Sequence, residues 1–220
     1  MKLAATAVLG RLRRLGKPIL TTGDAAMHLG LTRSAASRAL ARLEAADLVQ
    51  PIRHGLWSVE TRVDPLRLPE YLTAPFPSYV SLLTALRIHG MITQVPHVIY
   101  VVSLAPTRRL RTRVADYSVH RVAPGFFGGF TTTPGGAKVA SPEKALLDTL
   151  YLAPARSRLF AGLPEVEIPP GFDREAASSW IARIAPGPRR EAVRLRLDAL
   201  LGPPAGRSRT KSRSAAPSTP

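Results

Sequence analysis

The sequence contains no cysteine, so disulfide bonds and thiolate metal sites are excluded. It also lacks any unbroken apolar run of about 20 residues, the length that a transmembrane helix requires. The five histidines show no ligand spacing, and no glycine-rich loop carries the lysine of a phosphate-binding motif. These absences predict a cytoplasmic protein with no membrane anchor, no bound metal and no other cofactor.

Acidic residues are scarce. The chain has 15 Asp and Glu against 31 Lys and Arg, which gives a formal net charge of +16 and a pI near 11.4. A surface of this kind attracts polyanions, because binding releases the counterions condensed on them. Nucleic acid is therefore the default partner class.

Residues 22–43 predict two helices joined by a tight turn. Thr22 is a candidate N-cap for the first helix, because its hydroxyl can accept a backbone N–H of the first turn. Gly30 can end that helix, since glycine adopts the left-handed conformation at little cost. Thr32 then caps a second helix. The order of helix, tight turn and helix predicts a helix-turn-helix.

The second of these helices has two different faces. Ala36, Leu40 and Leu43 recur at i, i+4 and i+7, so they predict one buried face. The opposite face carries small or basic residues that would let the helix lie deep in a DNA major groove, where arginine can donate to guanine or phosphate. These residues are Ser34, Ser37, Arg38, Ala41 and Arg42. Arg33 projects from the first turn, where the helix N-terminus already favours phosphate.

Two short strands are predicted directly after the helix-turn-helix, over residues 48–52 and 56–59. Arg53, His54 and Gly55 form the turn between them. A two-stranded ribbon with a basic tip after a recognition helix is typical of the wing of a winged helix, which contacts the DNA backbone or the minor groove. An amphipathic helix upstream, ended by Gly16, completes a three-helix core.

The fold class predicted for the whole chain is α+β. Residues 1–62 form the winged helix-turn-helix, and residues 63–77 form a linker punctuated by Pro65, Pro69, Pro75 and Pro77. A mixed α/β C-terminal domain occupies residues 78–202. Residues 203–220 are rich in Pro, Ser and Ala, contain four Lys or Arg and no acid, and are predicted to be a disordered basic tail. That tail either adds sequence-independent DNA affinity or only improves solubility.

The C-terminal domain begins with a predicted buried helix over residues 79–88 and a strand over residues 97–104. An arginine loop follows, with further strands predicted over residues 117–122, 126–132 and 137–140. The loop has three open interpretations: a second DNA surface, a contact for an acidic partner, or a solvated face. Its members are Arg108, Arg109, Arg111 and Arg113.

Ser141, Pro142 and Glu143 open the next predicted helix. Serine is a good N-cap, proline suits the first helical position, and glutamate suits the positive end of the helix dipole. Further helices are predicted over residues 174–184 and 188–201. By these preferences alone, the Ser-Pro-Glu sequence indicates a structural helix start.

An enzyme is the alternative class. A nuclease would suit a basic protein, and Asp116, Glu143 and Lys144 superficially resemble a carboxylate and lysine metal site. Such a site needs carboxylates that converge on a cation, whereas Glu143 and Lys144 are adjacent at a helix start and point apart. We therefore expect no catalytic residues and no catalysis.

The predicted winged helix is followed by the strings YVSLLTALRIHGMITQVPHVIYVV, YSVHRV and FFGGF, and above all by VASPEKALLDTLY. With these strings, residues 1–155 resemble the abortive-infection AbiE-type antitoxins, which are the antitoxin half of type IV toxin–antitoxin pairs. The chain departs from the family pattern after about Leu152. The resemblance implies a repressor that binds repeats upstream of its own operon and counters a nucleotidyltransferase-like toxin. Some relatives occur without an evident toxin, which leaves a solitary transcriptional regulator as an alternative.

The resemblance also implies roles for individual residues. It assigns DNA contact to Thr32, Arg33, Ser34, Ser37, Arg38 and Arg42 on the recognition helix, with Arg53 and His54 on the wing. In the C-terminal domain, Arg108, Arg109, Glu143, Lys144 and Asp148 match the family pattern without an assigned contact.

Overall fold

The computed structural model describes residues 5–60, 62–153 and 165–202. The predicted disordered tail, residues 203–220, lies outside the described residues. The chain is a mixed α/β structure with a winged helix-turn-helix at its N-terminus. Within the described residues, no helix is both long enough and apolar enough to span a membrane.

Three helices and a small antiparallel sheet form the N-terminal winged helix. Its elements are α1 (Ala5–Arg13), β1 (Ile19–Thr21), α2 (Thr22–Leu29), α3 (Arg33–Glu44), β2 (Gln50–Arg53) and β3 (Leu56–Ser58). The strand order is β1-β3-β2, so the two predicted wing strands are joined by a third strand that precedes α2. Apolar side chains from all three helices, together with Trp57, form the core of this part.

The predicted N-cap of α2 was wrong by one residue. Thr21 is the cap: its Oγ1 accepts from the N–H of Asp24, and Asp24 Oδ2 accepts from the N–H of Thr21 at 2.8 Å. This reciprocal capping box satisfies two backbone donors that the helix itself leaves unpaired. The other two predicted helix-boundary residues are confirmed, since Gly30 has φ of 67° at the C-cap of α2 and Thr32 caps α3.

Residues 63–77, which the sequence predicts as a linker, carry a short 3-10 helix (Pro65–Arg67) and helix α4 (Pro69–Thr73). Leu68 and Leu72 are fully buried. This segment therefore packs against its neighbours along much of its length.

The C-terminal part is built on one mixed sheet of six strands with helices α5 to α8. Its elements are β4 (Ser78–Val80), α5 (Leu82–Ile88), β5 (Ile99–Ser103), β6 (Arg108–Arg111), β7 (Asp116–Arg121), β8 (Phe130–Thr132), β9 (Lys138–Ala140), α6 (Pro142–Leu152), α7 (Arg174–Ala182) and α8 (Pro188–Leu201). The strand order is β6-β7-β5-β4-β9-β8. The pairs β5–β7 and β4–β9 are parallel, and the other three pairs, including the central pair β4–β5, are antiparallel.

Three sequence-based assignments in this part were wrong. Residues 78–80 are a strand rather than the start of a helix, because Tyr79 pairs with Val102 of β5. The arginine loop contains an edge strand, since residues 108–111 pair antiparallel with β7. Residues 126–132 are only partly extended, because a 3-10 helix ends at Phe126 and β8 begins at Phe130. In the first two cases pairing with another strand overrode the local pattern.

The six-stranded sheet is covered on both faces. Alternate residues of a strand point to opposite faces. Tyr100 and Val102 lie in the large apolar core with α5, α6, α7 and α8. Val101, Tyr117 and Val119 face the other way and share a cluster with Ile19, Ile52 and Leu56 of the winged helix. The winged helix therefore packs on the sheet face opposite to the C-terminal helices.

Candidate nucleic-acid interface

The orientation of α3 determines which of its side chains are exposed to a binding partner. Ala36, Leu40 and Leu43 are at most 1% exposed and pack against the other helices, as their spacing predicts. The helix begins where Thr32 Oγ1 accepts from the N–H of Ala35 at 3.3 Å. With one face fixed in the core, the opposite face must be in contact with solvent.

All eight residues that the sequence assigns to DNA contact are exposed. They are Thr32, Arg33, Ser34, Ser37, Arg38 and Arg42 around α3, and Arg53 and His54 at the tip of the wing. A protruding helix whose outer face is short-chained or basic suits insertion into the major groove.

A groove of about 570 Å³ separates α3 from the wing, and we call it the α3–wing groove. It brings together five of the eight predicted residues: Arg33, Ser34 and Ser37 from the helix, and Arg53 and His54 from the wing. Arg38 and Arg42 are also exposed on α3, but they do not line this groove. The remaining lining residues are Thr22, Glu44, Pro51, Gly55, Trp57 and Arg113.

The wing is fixed to the helices by two hydrogen bonds at Thr22. The Thr22 N–H donates to the carbonyl of Gly55 at 3.0 Å, and Trp57 Nε1 donates to Thr22 Oγ1 at 3.0 Å. Both Thr22 and Trp57 are buried. Thr22, which the sequence predicts as a cap, therefore sets the distance between α2 and the wing, and so helps to define the width of the α3–wing groove.

Few carboxylates oppose the basic surface. Asp24 is occupied by the capping box and by Lys17, whose Nζ lies 3.3 Å away. Burial acts to raise the pKa of Asp24, but the hydrogen bonds from Thr21 and the charge of Lys17 outweigh it and lower that pKa. Among the residues that line the α3–wing groove in the described part of the chain, Glu44 alone is acidic.

One arginine in the α3–wing groove comes from the C-terminal part. Arg113 Nη1 donates to Glu44 Oε1 at 2.6 Å, and the Arg113 N–H donates to the carbonyl of Ile52 in β2 at 2.9 Å. The sequence groups Arg113 with the other three arginines of its loop, whose role it leaves open between a second DNA surface, a partner contact and a solvated face. The position of Arg113 depends on a turn that packs against a strand about 60 residues earlier, and no local pattern reports such a contact.

The other members of the arginine loop lie apart from that groove. Arg108 Nη2 donates to the carbonyl of Leu72 at 3.2 Å, which ties the edge strand to α4. Arg109 is exposed on the other face of β6. Arg111 is also exposed, with its Nε 3.9 Å from Asp116 Oδ2. The four arginines therefore do not form one patch.

The VASPEKALLDTLY string encodes a buried ion pair. Ser141 caps α6 as its sequence predicts, accepting from the N–H of Lys144 at 3.2 Å. Lys144 and Asp148, one turn apart, are both fully buried and hydrogen-bonded to each other. Asp148 Oδ2 also accepts from Tyr79 Oη at 3.0 Å and from Ser81 Oγ at 2.7 Å.

Aromatic rings enclose the Lys144 ammonium group. Its Nζ lies 3.9 Å from the centroid of Phe126 and 5.1 Å from that of Trp180. Burial lowers the pKa of Lys144 and raises that of Asp148, and in each case the charge of the partner opposes the shift. A Cβ at Gly129 would lie 2.9 Å from both Lys144 Cγ and Trp180 Cζ2, so the FFGGF segment needs glycine there.

The residues weighed for a nuclease site have separate partners. Glu143 Oε1 accepts from the N–H of Asp173 at 3.0 Å, Lys144 binds Asp148, and Asp116 faces Arg111. No group of three His, Asp or Glu side chains that could hold a metal ion occurs in the described ranges.

The MarR family model matches residues 1–55. No curated protein matches the chain. The matched residues include α1, α2, α3 and most of the wing, so the geometry and the family match concern the same part of the chain. The N-terminal part is a winged helix-turn-helix domain of the kind that DNA-binding transcriptional regulators contain.

Proposed function

We propose that this chain is a sequence-specific transcriptional repressor that inserts α3 into the DNA major groove and places the wing on the adjacent backbone. The observation that carries the proposal is the α3–wing groove, where Arg33, Ser34 and Ser37 face Arg53 and His54 across one basic surface. Short side chains allow close approach of the helix, and the arginines supply paired donors to guanine or phosphate.

The N-terminus of α3 adds to this surface. Backbone N–H groups at a helix start attract phosphate, and Arg33 occupies the first helical position. Contacts to phosphate fix the register of the protein on the duplex, and contacts to base edges supply sequence preference. We assign the first role to Thr32, Arg33, Arg53 and His54, and the second to Ser34, Ser37, Arg38 and Arg42.

We further propose that the repressor is the autoregulating antitoxin of a type IV toxin–antitoxin pair and counters a nucleotidyltransferase-like toxin. The resemblance of the SPEKALLD string and its preceding strand to the AbiE-type antitoxins supports this role. The buried Lys144–Asp148 pair gives the string a structural purpose, since it joins α6 to β4 through Tyr79 and to the helix that carries Trp180. The exposed Arg109 and Arg111 are then the candidates for a charged partner surface.

The DNA-binding proposal is tested by fluorescence anisotropy on two duplexes, the DNA directly upstream of the gene and a scrambled sequence, over a salt series. We expect the upstream duplex to bind at least about a thousandfold more tightly near physiological salt. Equal affinity for both duplexes, lost together as salt rises, would show that the binding is only electrostatic.

The antitoxin role needs its own experiment. The adjacent reading frame is expressed in a host strain with and without this chain, and growth is measured. We expect growth arrest by that frame alone and rescue by the full chain. Rescue that fails while operator binding persists would favour the solitary regulator.

A further inference from the structure

Glu44 is out of place on a DNA-binding surface. It lies in the last turn of α3, where its negative charge faces the negative end of the helix dipole. It also lines the α3–wing groove together with Arg33, Arg53 and Arg113. It also follows Ser37 by two turns, so it shares the stripe of α3 that faces the wing. Neither helix stability nor DNA attraction explains a carboxylate there.

Arg113 supplies the missing explanation. Its guanidinium donates to Glu44 at 2.6 Å, yet 67% of the Arg113 side chain remains exposed, against 33% for Glu44. The ion pair is therefore open to solvent on the arginine side. Arg113 also lines the α3–wing groove, which already contains Arg33 and Arg53.

The backbone around Arg113 is held by several hydrogen bonds. Thr112 Oγ1 accepts from the N–H groups of Val114 and Ala115 and donates to the carbonyl of Ala115. The Arg113 N–H donates to Ile52, a fully buried residue of the wing sheet. The turn between β6 and β7 is thus attached to the wing by its main chain, which leaves the Arg113 side chain free to change partner.

We propose that Arg113 is a DNA phosphate ligand supplied by the C-terminal part, and that Glu44 holds it as an internal substitute for phosphate until DNA binds. The inference rests on the proposed DNA-binding function. A carboxylate and a phosphate oxygen accept from guanidinium in the same way, so one can replace the other without a change in the backbone. Glu44 then competes with every phosphate, which weakens binding to all DNA.

The test uses the full chain and three variants: Arg113→Ala, Glu44→Gln and the double variant. Affinity for both duplexes is measured against salt concentration. We expect Arg113→Ala to weaken binding roughly threefold to tenfold and to reduce the slope of log affinity against log salt by about one. Glu44→Gln should tighten binding to both duplexes, and Arg113→Ala should still weaken binding when it is added to Glu44→Gln.

Two outcomes would overturn the proposal. If the double variant binds like Glu44→Gln, Arg113 only neutralises Glu44. If Glu44→Gln weakens binding as much as Arg113→Ala does, the pair is a clamp between the two parts of the chain. The Arg113→Ala variant keeps the N–H bond to Ile52, and circular dichroism and thermal unfolding of each variant establish that it is folded.

Arg196→Ala is the matched control, because it removes the same charge from an exposed side chain of α8 that lies outside the α3–wing groove. An equal loss of salt slope in this variant would also overturn the proposal. Phosphate contacts do not depend on DNA sequence. The transfer of Arg113 from Glu44 to a phosphate is therefore measurable on the scrambled duplex, even if the upstream duplex shows no specific binding and the proposed function fails.

Discussion

The winged helix and the C-terminal part place their charges in opposite ways. In the winged helix the described buried side chains are apolar except for Thr22 and Ser58, and its arginines are mostly on the surface. The C-terminal part buries Glu143, Lys144 and Asp148. Surface charge there is spread over several faces. The first part is therefore built to present charge to a partner, and the second uses charge to hold its own helices and strands together.

The difference also shows where charged residues are most sensitive to change. Truncating an exposed arginine lowers the stability of the folded chain only a little, because water solvates the partner that the arginine leaves behind. A buried charge that loses its partner is left without solvation, which costs far more. Changes to charges in the winged helix should therefore affect DNA binding, and changes to charges in the C-terminal core should affect folding.

Lys144→Met is the change with the largest expected effect. It leaves the Asp148 carboxylate buried with hydroxyl partners alone, so we expect the free energy of unfolding to fall by about 3 to 5 kcal/mol. Urea denaturation followed by circular dichroism measures the change. A loss below about 1 kcal/mol would mean that Asp148 becomes protonated at little cost and that the pair is not needed.

The double variant Lys144→Met with Asp148→Asn provides the control. The amide oxygen can still accept from Tyr79 and Ser81, and no uncompensated charge remains. The double variant should therefore be more stable than Lys144→Met alone, although it carries one more substitution. If the double variant instead lost as much stability as Lys144→Met and Asp148→Asn lose together when each is made alone, the ion-pair explanation would be contradicted.

The same contrast explains what the sequence could and could not predict. The inward positions of Ala36, Leu40 and Leu43 and the turn at Gly30 follow from helical periodicity and from local backbone preferences, and the structure confirms them. Lys144 and Asp148 also sit one turn apart, a spacing that is typical of a solvated pair on a helix surface. Their burial depends on β4, on the aromatic rings and on α7, which are remote in sequence.

The cap of α2 and the position of Arg113 both depend on contacts that are remote in sequence. Thr21 and Thr22 are adjacent and chemically identical, so the sequence could not decide which one caps α2. The decision comes from Trp57, whose indole N–H needs a buried acceptor and finds Thr22. The sequence left the role of Arg113 open, because its approach to Glu44 requires the packing of the sheet on the wing, which no local spacing encodes.

His120 should make the stability of the C-terminal part depend on pH. Its Nε2 is hydrogen-bonded to Ser118 Oγ at 2.9 Å, and burial, with a smaller effect from the charge of Arg109, lowers its pKa from 6.5 to about 4. Between these values the unfolded chain binds a proton that the folded chain does not, so stability falls as the pH falls. We expect a loss of about 2 to 3 kcal/mol between pH 7 and pH 4 from this residue.

The measurement compares urea unfolding of the unmodified chain with that of His120→Gln over this pH range. Glutamine can still hydrogen-bond to Ser118 and does not titrate. The difference in stability between the two proteins should therefore change with pH, and a constant difference would show that His120 is not held neutral by the fold.

Arg38→Ala should act on binding and leave folding unchanged. If Arg38 donates to a base edge, specific affinity should fall by about 1 to 3 kcal/mol and the preference at one base pair should relax. Anisotropy titrations on the upstream duplex and on single-base variants measure both effects. Arg196→Ala, an exposed arginine of α8, removes the same charge as a control. Unchanged base preference in Arg38→Ala would mean that α3 docks in another orientation.

Thr21→Ala should have the smallest effect, because it removes an exposed cap of the winged helix. We expect the free energy of unfolding to fall by about 1 kcal/mol. Thr21→Ser keeps the hydroxyl that accepts from the N–H of Asp24, so it should retain most of the stability. If Thr21→Ala matched the loss in Lys144→Met, polar contacts would matter equally in both parts of the chain, and the contrast between exposed and buried polar groups would not hold.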